Sequence, residues 1–135
     1  MLLTEVTKVT SMSDTGEPLE PESACATYNN QCGAVVRDNV EITWKDWKKV
    51  PDESKNNCWE KLRSKFRYPE GTNEDAAKHY ALQTMEKLWR NWKSELNVKY
   101  VKNELTPFKD YGKITHDQWD EFVALKTSEE EKAKS

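Results

Sequence analysis

No run of about 18 apolar residues occurs in the 135-residue chain, so no segment is expected to span a membrane. The opening "MLLTEVTKVTS" has neither the basic start nor the apolar stretch of a secretory leader, and a soluble intracellular protein is expected. Cysteine is sparse and odd in number: Cys25, Cys32 and Cys58. Without an export signal these are expected to be reduced thiols that pack rather than staple. No Cys-x-x-Cys pair is present to nucleate a zinc site with His79 or His116, so no metal is expected. Gly-rich phosphate loops, nucleophile elbows and His-Glu-x-x-His are missing too. A transposase-type carboxylate centre needs three acids converging on metal ions, usually on a sheet, whereas the acids here lie mostly in tails and turns and strand patterns are almost absent. The expectation is a non-enzyme with no cofactor and no small-molecule substrate.

What the chain does have is segregated charge. The net charge of −3 hides two basic and seven acidic residues in 1–42, then eight and four in 43–68 and six and three in 76–105. The remainder from 106 carries five and seven. Acidic ends therefore flank a middle with two basic stretches, a possible nucleic-acid footprint.

The segment "SMSDTGEPLEPESA" is rich in Ser, Pro, Gly and acid without apolar periodicity, so residues 1–25 are expected to be disordered or extended. A helical domain is expected over 26–128, followed by a charged tail over 129–135. Residues 26–42 have turn formers around Gly33 and short apolar pairs, which suit a packed loop or short strand. Thr43 can cap a short helix carrying Trp44 and Trp47, and Pro51 stops it or opens the next. In "DESKNNCWEKLRSKFRY", Cys58, Trp59, Leu62 and Phe66 fall within about 100° on one helical face. Pro69 and Gly71 close that helix, and Thr72 or Asn73 can cap a third running from about Glu74 to Glu104, where Thr106-Pro107 forbids continuation. Thr115 and Gln118 form a capping box for "HDQWDEFVALK", with Trp119, Phe122 and Val123 on one face and His116 supporting the helix start. The fold class expected is all-α: about four helices, one of them long, around a tryptophan-rich core.

The stretch "LWRNWKSEL" sets tryptophan beside cation, which could be a base-stacking surface or core with basic residues outside. Helical angles decide in favour of core. With Trp89 at 0°, Leu82 and Tyr100 lie at about 20°, Leu96 at about 340°, Met85 at about 320°, Trp92 at about 300°, Ala81 at about 280° and Leu88 at about 260°. One stripe about 120° wide collects every large apolar side chain, as in a core-facing helix. Arg90 and Lys87 point away from it, and Lys93, at about 40°, sits on its edge.

By the same reasoning Trp44 and Trp47 face inward, leaving Lys45, Lys48 and Lys49 at the surface. Lys61 and Lys65 form one i, i+4 pair, Arg63 and Arg67 another. Such cations neutralise phosphates with salt-dependent affinity and no sequence choice. The expected DNA-contacting set is Lys45, Lys48, Lys49, Arg63, Arg67, Lys87 and Arg90.

The order of motifs resembles the plant transposase family associated with Ptta and En/Spm (CACTA-type) elements. The resemblance is carried by "GEPLEPE", "NNQCGAVVRDNVEI", "WKDWKKVPDESKNNCWEKLRSKF", "LWRNWKSEL" and "QWDEFV", in that order over most of the chain. It implies a nuclear, transposon-derived protein whose helical region acts in DNA association or assembly, without strand-transfer chemistry. In the family the chain continues past the position of "SEEEKAKS" into a long charged segment, and any dimerisation or DNA affinity seated there lies outside these residues. The function expected is a non-catalytic module that binds duplex DNA. The alternative is a protein-interaction module, such as a homodimer built on the third helix, which at about 31 residues would span roughly 46 Å.

Overall fold

The computed structural model describes residues 6–134. Among them four α-helices form an all-α domain: α1 (Glu22–Asn39), α2 (Asp52–Arg63), α3 (Glu74–Leu96) and α4 (His116–Lys134). Four very short strands accompany them: β1 (Thr7–Lys8), β2 (Ser11–Met12), β3 (Pro18–Glu20) and β4 (Phe66–Arg67). β1 lies parallel to β4, with Thr7 opposite Phe66, and β2 pairs antiparallel with β3.

The helix count matches the sequence expectation, but its members differ. Residues 22–39 form a helix where a loop or short strand is expected. α1 keeps Ala24, Tyr28, Cys32, Val35 and Val36 on its buried side, an i, i+4 ladder, with Glu22 in its first turn and Arg37 in its last to suit the helix dipole. The short helix expected after Thr43 contracts to one 3₁₀ turn, Trp47–Lys49. Its cap is Asp46, whose side chain accepts from the Lys49 amide, while Thr43 donates instead to Glu41. Pro51 follows too soon for a longer helix, and its fixed φ opens α2. α2 ends at Arg63 rather than near Tyr68. Phe66 is buried on β4, so its helical spacing from Leu62 is coincidental.

α3 is the central element, packed against α1 and α2. Asn73 caps it, accepting from the Ala76 amide at 3.1 Å. Its 23 residues span about 34 Å. A π-helical turn over Asn97–Val101 continues it, and the chain then leaves through Glu104, at φ 55. α4 begins with the reciprocal capping box: the Gln118 amide donates to Thr115 Oγ1 at 3.1 Å, and the Thr115 amide donates to Gln118 Oε1 at 3.0 Å. It runs on to Lys134, into the residues expected as a charged tail.

From Val6 the acidic N-terminal segment is extended and packed. The Val9 amide donates to Arg67 O at 2.9 Å, and the Val9 side chain is buried. Gly16, at φ +90 in the turn between β2 and β3, lies against the first turn of α3, where a Cβ would stand 2.2 Å from Ala76 O. Of the two states expected for this segment, disordered or extended, the described residues show the extended one, and they are docked on the helices. One deeply buried valine and one glycine contact anchor it, features that apolar periodicity cannot register.

Candidate nucleic-acid interface

Tryptophan rings are the first candidates for contact with bases, and α3 buries them. Met85, Trp89 and Leu96 are wholly enclosed and Trp92 nearly so, with Leu88 half-buried beside them. Trp47 tilts against Trp89 at 5.5 Å between centroids, and Trp92 meets Tyr111 edge-on at 5.4 Å. Trp59, Leu62, Phe66, Trp119 and Phe122 are buried as well, while Trp44 and Trp47 are partly buried against the core. The indole N–H groups of Trp89 and Trp92 are buried without a hydrogen-bond partner among the described residues. The buried rings are packing groups whose faces no base can reach, whereas Trp44 and Trp47 keep part of their surface exposed.

Lys93 behaves differently from its neighbours and from its expected place at the edge of the stripe. It is only 5 % exposed. Its ammonium sits 4.1 Å from the Trp89 ring centroid and donates to the carbonyl oxygen of Trp44, with that of Lys45 at 3.5 Å. Burial, reinforced by repulsion from Lys126, pushes its pKa down to about 8. The side chain thus fastens the 44–50 segment to α3 from beneath, and Trp47 adds a ring contact alongside. The only sequence signal was an angle of about 40° from Trp89, at which a long side chain can turn either way.

Above this clamp Lys45, Lys48 and Lys49 are exposed, and Lys55 lies over the outer side of Trp47 at 5.3 Å. The other expected contacts are dispersed. Arg63 is exposed but holds Glu74 at 2.7 Å, which raises its pKa through the hydrogen bond and charge of that carboxylate. Arg90 pairs with Glu86 on its own helix at 3.4 Å, and Lys87 is exposed beside it. Arg67, on β4, lies opposite Lys8 in the β1 register, a neighbour that the sequence did not suggest. Glu74 and Trp89 mark the two ends of this distribution, about 22 Å apart along α3. The seven cations therefore form one group at the 44–49 segment, a second at the α2–β4 end, and the Lys87–Arg90 shoulder of α3.

Burial raises Cys32 to about 12 and Cys58 to about 11, the latter partly offset by Lys61, so both stay protonated and unreactive. The Cys25 thiol donates to Pro18 O at 3.2 Å, and all three cysteines are free. His116 stacks on Phe108 at 4.0 Å. Among the described residues no three His, Cys, Asp or Glu side chains are placed to hold a metal, and no helix is long and apolar enough to cross a membrane. No protein-family model matches the chain, and no curated protein or solved structure is found similar to it.

Proposed function

We propose that this chain is a non-catalytic, DNA-associated module of a transposon-derived nuclear protein, holding backbone phosphates on its exposed cations. The observation that carries the reading is the 44–49 segment. Lys45, Lys48 and Lys49 have no side-chain ion pair among the described residues, and the backbone beneath them is held by Lys93 and by the Trp47–Trp89 contact. Fixed cations of this kind bind polyanions with less ordering cost than cations on a mobile loop. Arg63 and Arg90 fit the same role. Their ion pairs are on the surface, where such pairs contribute about 0–1 kcal/mol, so exchanging a carboxylate for a phosphate costs little. The motif order that resembles the plant transposase family supports a DNA setting independently of the geometry.

The alternative, a homodimer built on α3, has less to stand on because the apolar stripe of that helix is consumed inside its own domain. The test is titration of labelled duplex DNA with the wild-type chain and with Lys45→Ala/Lys48→Ala/Lys49→Ala at several salt concentrations. Affinity should fall steeply with salt, and the triple variant should flatten the log–log slope by about 2.7. Absence of binding near 50 mM salt, together with a concentration-dependent dimer in sedimentation, would transfer the assignment to the alternative.

A further inference from the structure

At the C-terminal end of α1, two lysines from distant parts of the chain are tied to consecutive side chains. The Lys113 ammonium lies 3.3 Å from Asp38 Oδ2, and the Lys61 ammonium donates to Asn39 Oδ1 at 2.5 Å. The Asn39 amide is itself oriented, donating to Val35 O at 2.7 Å, which presents its oxygen to Lys61. Lys65 follows Lys61 by four residues, and Lys61, Lys65, Lys113, Asp38 and Asn39 all line one groove of about 360 Å³.

Three lysines from two segments line the groove beside the single carboxylate of Asp38, and the ammonium groups of Lys61 and Lys113 are placed at it by their contacts with α1. Each ammonium carries three N–H donors. Lys61 and Lys113 each use one on α1, which leaves the remaining donors for a ligand. An excess of positive charge, with lysines supplied by two separate segments, suits a multiply charged oxyanion better than a singly charged carboxylate.

We propose that this groove is a phosphate-binding site. Resting on the DNA reading above, its oxyanion is a backbone phosphate of bound duplex; a free phosphate group would satisfy the same donors. The experiment follows lysine side-chain NMR signals of the full chain during addition of inorganic phosphate and, separately, of duplex DNA. It is paired with salt-dependent DNA titration of Lys61→Ala/Lys65→Ala/Lys113→Ala. Both additions should shift the three lysines, and the triple variant should lower the salt slope by about three. Lys113→Ala alone, on a largely exposed side chain, should lower it by about one and serves if the triple variant does not fold.

The arms separate the two sources. Shifts with inorganic phosphate but not with DNA keep the site and remove the backbone assignment. DNA binding whose slope drops for the 44–49 variant but not for the groove variants, without phosphate shifts, overturns the groove and leaves the DNA reading intact. No duplex binding at all removes the DNA reading, and the groove then stands or falls on inorganic phosphate.

Discussion

The Lys93 ammonium rests on the Trp89 ring and donates to the Trp44 carbonyl, a buried cation satisfied by a π face and backbone oxygens in place of a carboxylate. The groups that act on its charge are Lys126, which repels it, and Glu129 and Asp46, which attract it. Its desolvation is the largest effect and favours the neutral amine.

A pH signature follows. The folded pKa of about 8 lies below the ordinary lysine value of 10.5, so between those limits the unfolded chain binds more protons than the folded one. Stability attributable to Lys93 must then rise as pH increases through that window, by at most about 1.4 kcal/mol per pH unit. Raised thiol and tyrosine pKa values act oppositely in the same alkaline range, so the wild type should be compared with Lys93→Met, in which those contributions cancel. The difference in urea unfolding free energy between the two proteins should move in favour of wild type from pH 8 to pH 10.5. A difference that stays flat would place the ammonium in water.

Gly16 and Gly71 provide a matched pair. Both have positive φ, +90 and +84, but a Cβ on Gly16 would strike the Ala76 backbone, whereas one on Gly71 would meet nothing within 4 Å. Gly71→Ala should cost about 1 kcal/mol of backbone strain. Gly16→Ala should cost at least about 2 kcal/mol, because the turn must also move off α3. Equal losses in chemical denaturation would mean that the turn does not dock on α3.

These two glycines also show what local sequence could and could not reveal. The α3 stripe, the Asn73 cap and the Thr115–Gln118 box depend on residues within one or two helical turns, and their patterns are visible in the bare sequence. α1 was hidden because Asn29, Asn30 and Gly33 are poor helix formers, so its helix depends on packing Tyr28, Cys32 and Val36 into the core. Phe66 matched a helical period yet belongs to a strand whose partner, Thr7, is far away in the chain. The site divides the same way. Outward angles place Lys87 and Arg90 on the surface, but the Arg63–Glu74 pair, the Lys8–Arg67 register and the inward turn of Lys93 arise from tertiary contacts.

Truncation tests the N-terminal segment as a whole. Removing residues 1–20 deletes the Val9 side chain from the core, the β1–β4 pairing and the Gly16 contact. Loss of the buried valine alone is worth about 1.5 kcal/mol, enough to lower the melting temperature by roughly 5 °C in a domain of this size. The truncated chain should therefore melt at least that much earlier by circular dichroism. An unchanged transition would show that the segment adds nothing to stability.

Trp92 and Arg90 are two residues apart on α3 and should fail in different assays. Trp92 is enclosed against Tyr111, so Trp92→Ala should destabilise the fold by roughly 3–5 kcal/mol. Trp92→Phe should cost less than Trp92→Ala, since it keeps an aromatic ring in the core while removing the indole N–H that has no partner. Arg90 has only an exposed i, i+4 pair with Glu86, and Arg90→Ala should change stability by no more than about 0.5 kcal/mol. In DNA titration the order reverses: Arg90→Ala should lower the salt slope by about one, while Trp92→Phe leaves it unchanged. If Trp92→Ala instead melts like wild type but no longer binds DNA, the ring is a stacking platform that opens in solution, and the separation of packed tryptophans from phosphate-facing cations fails at its central residue.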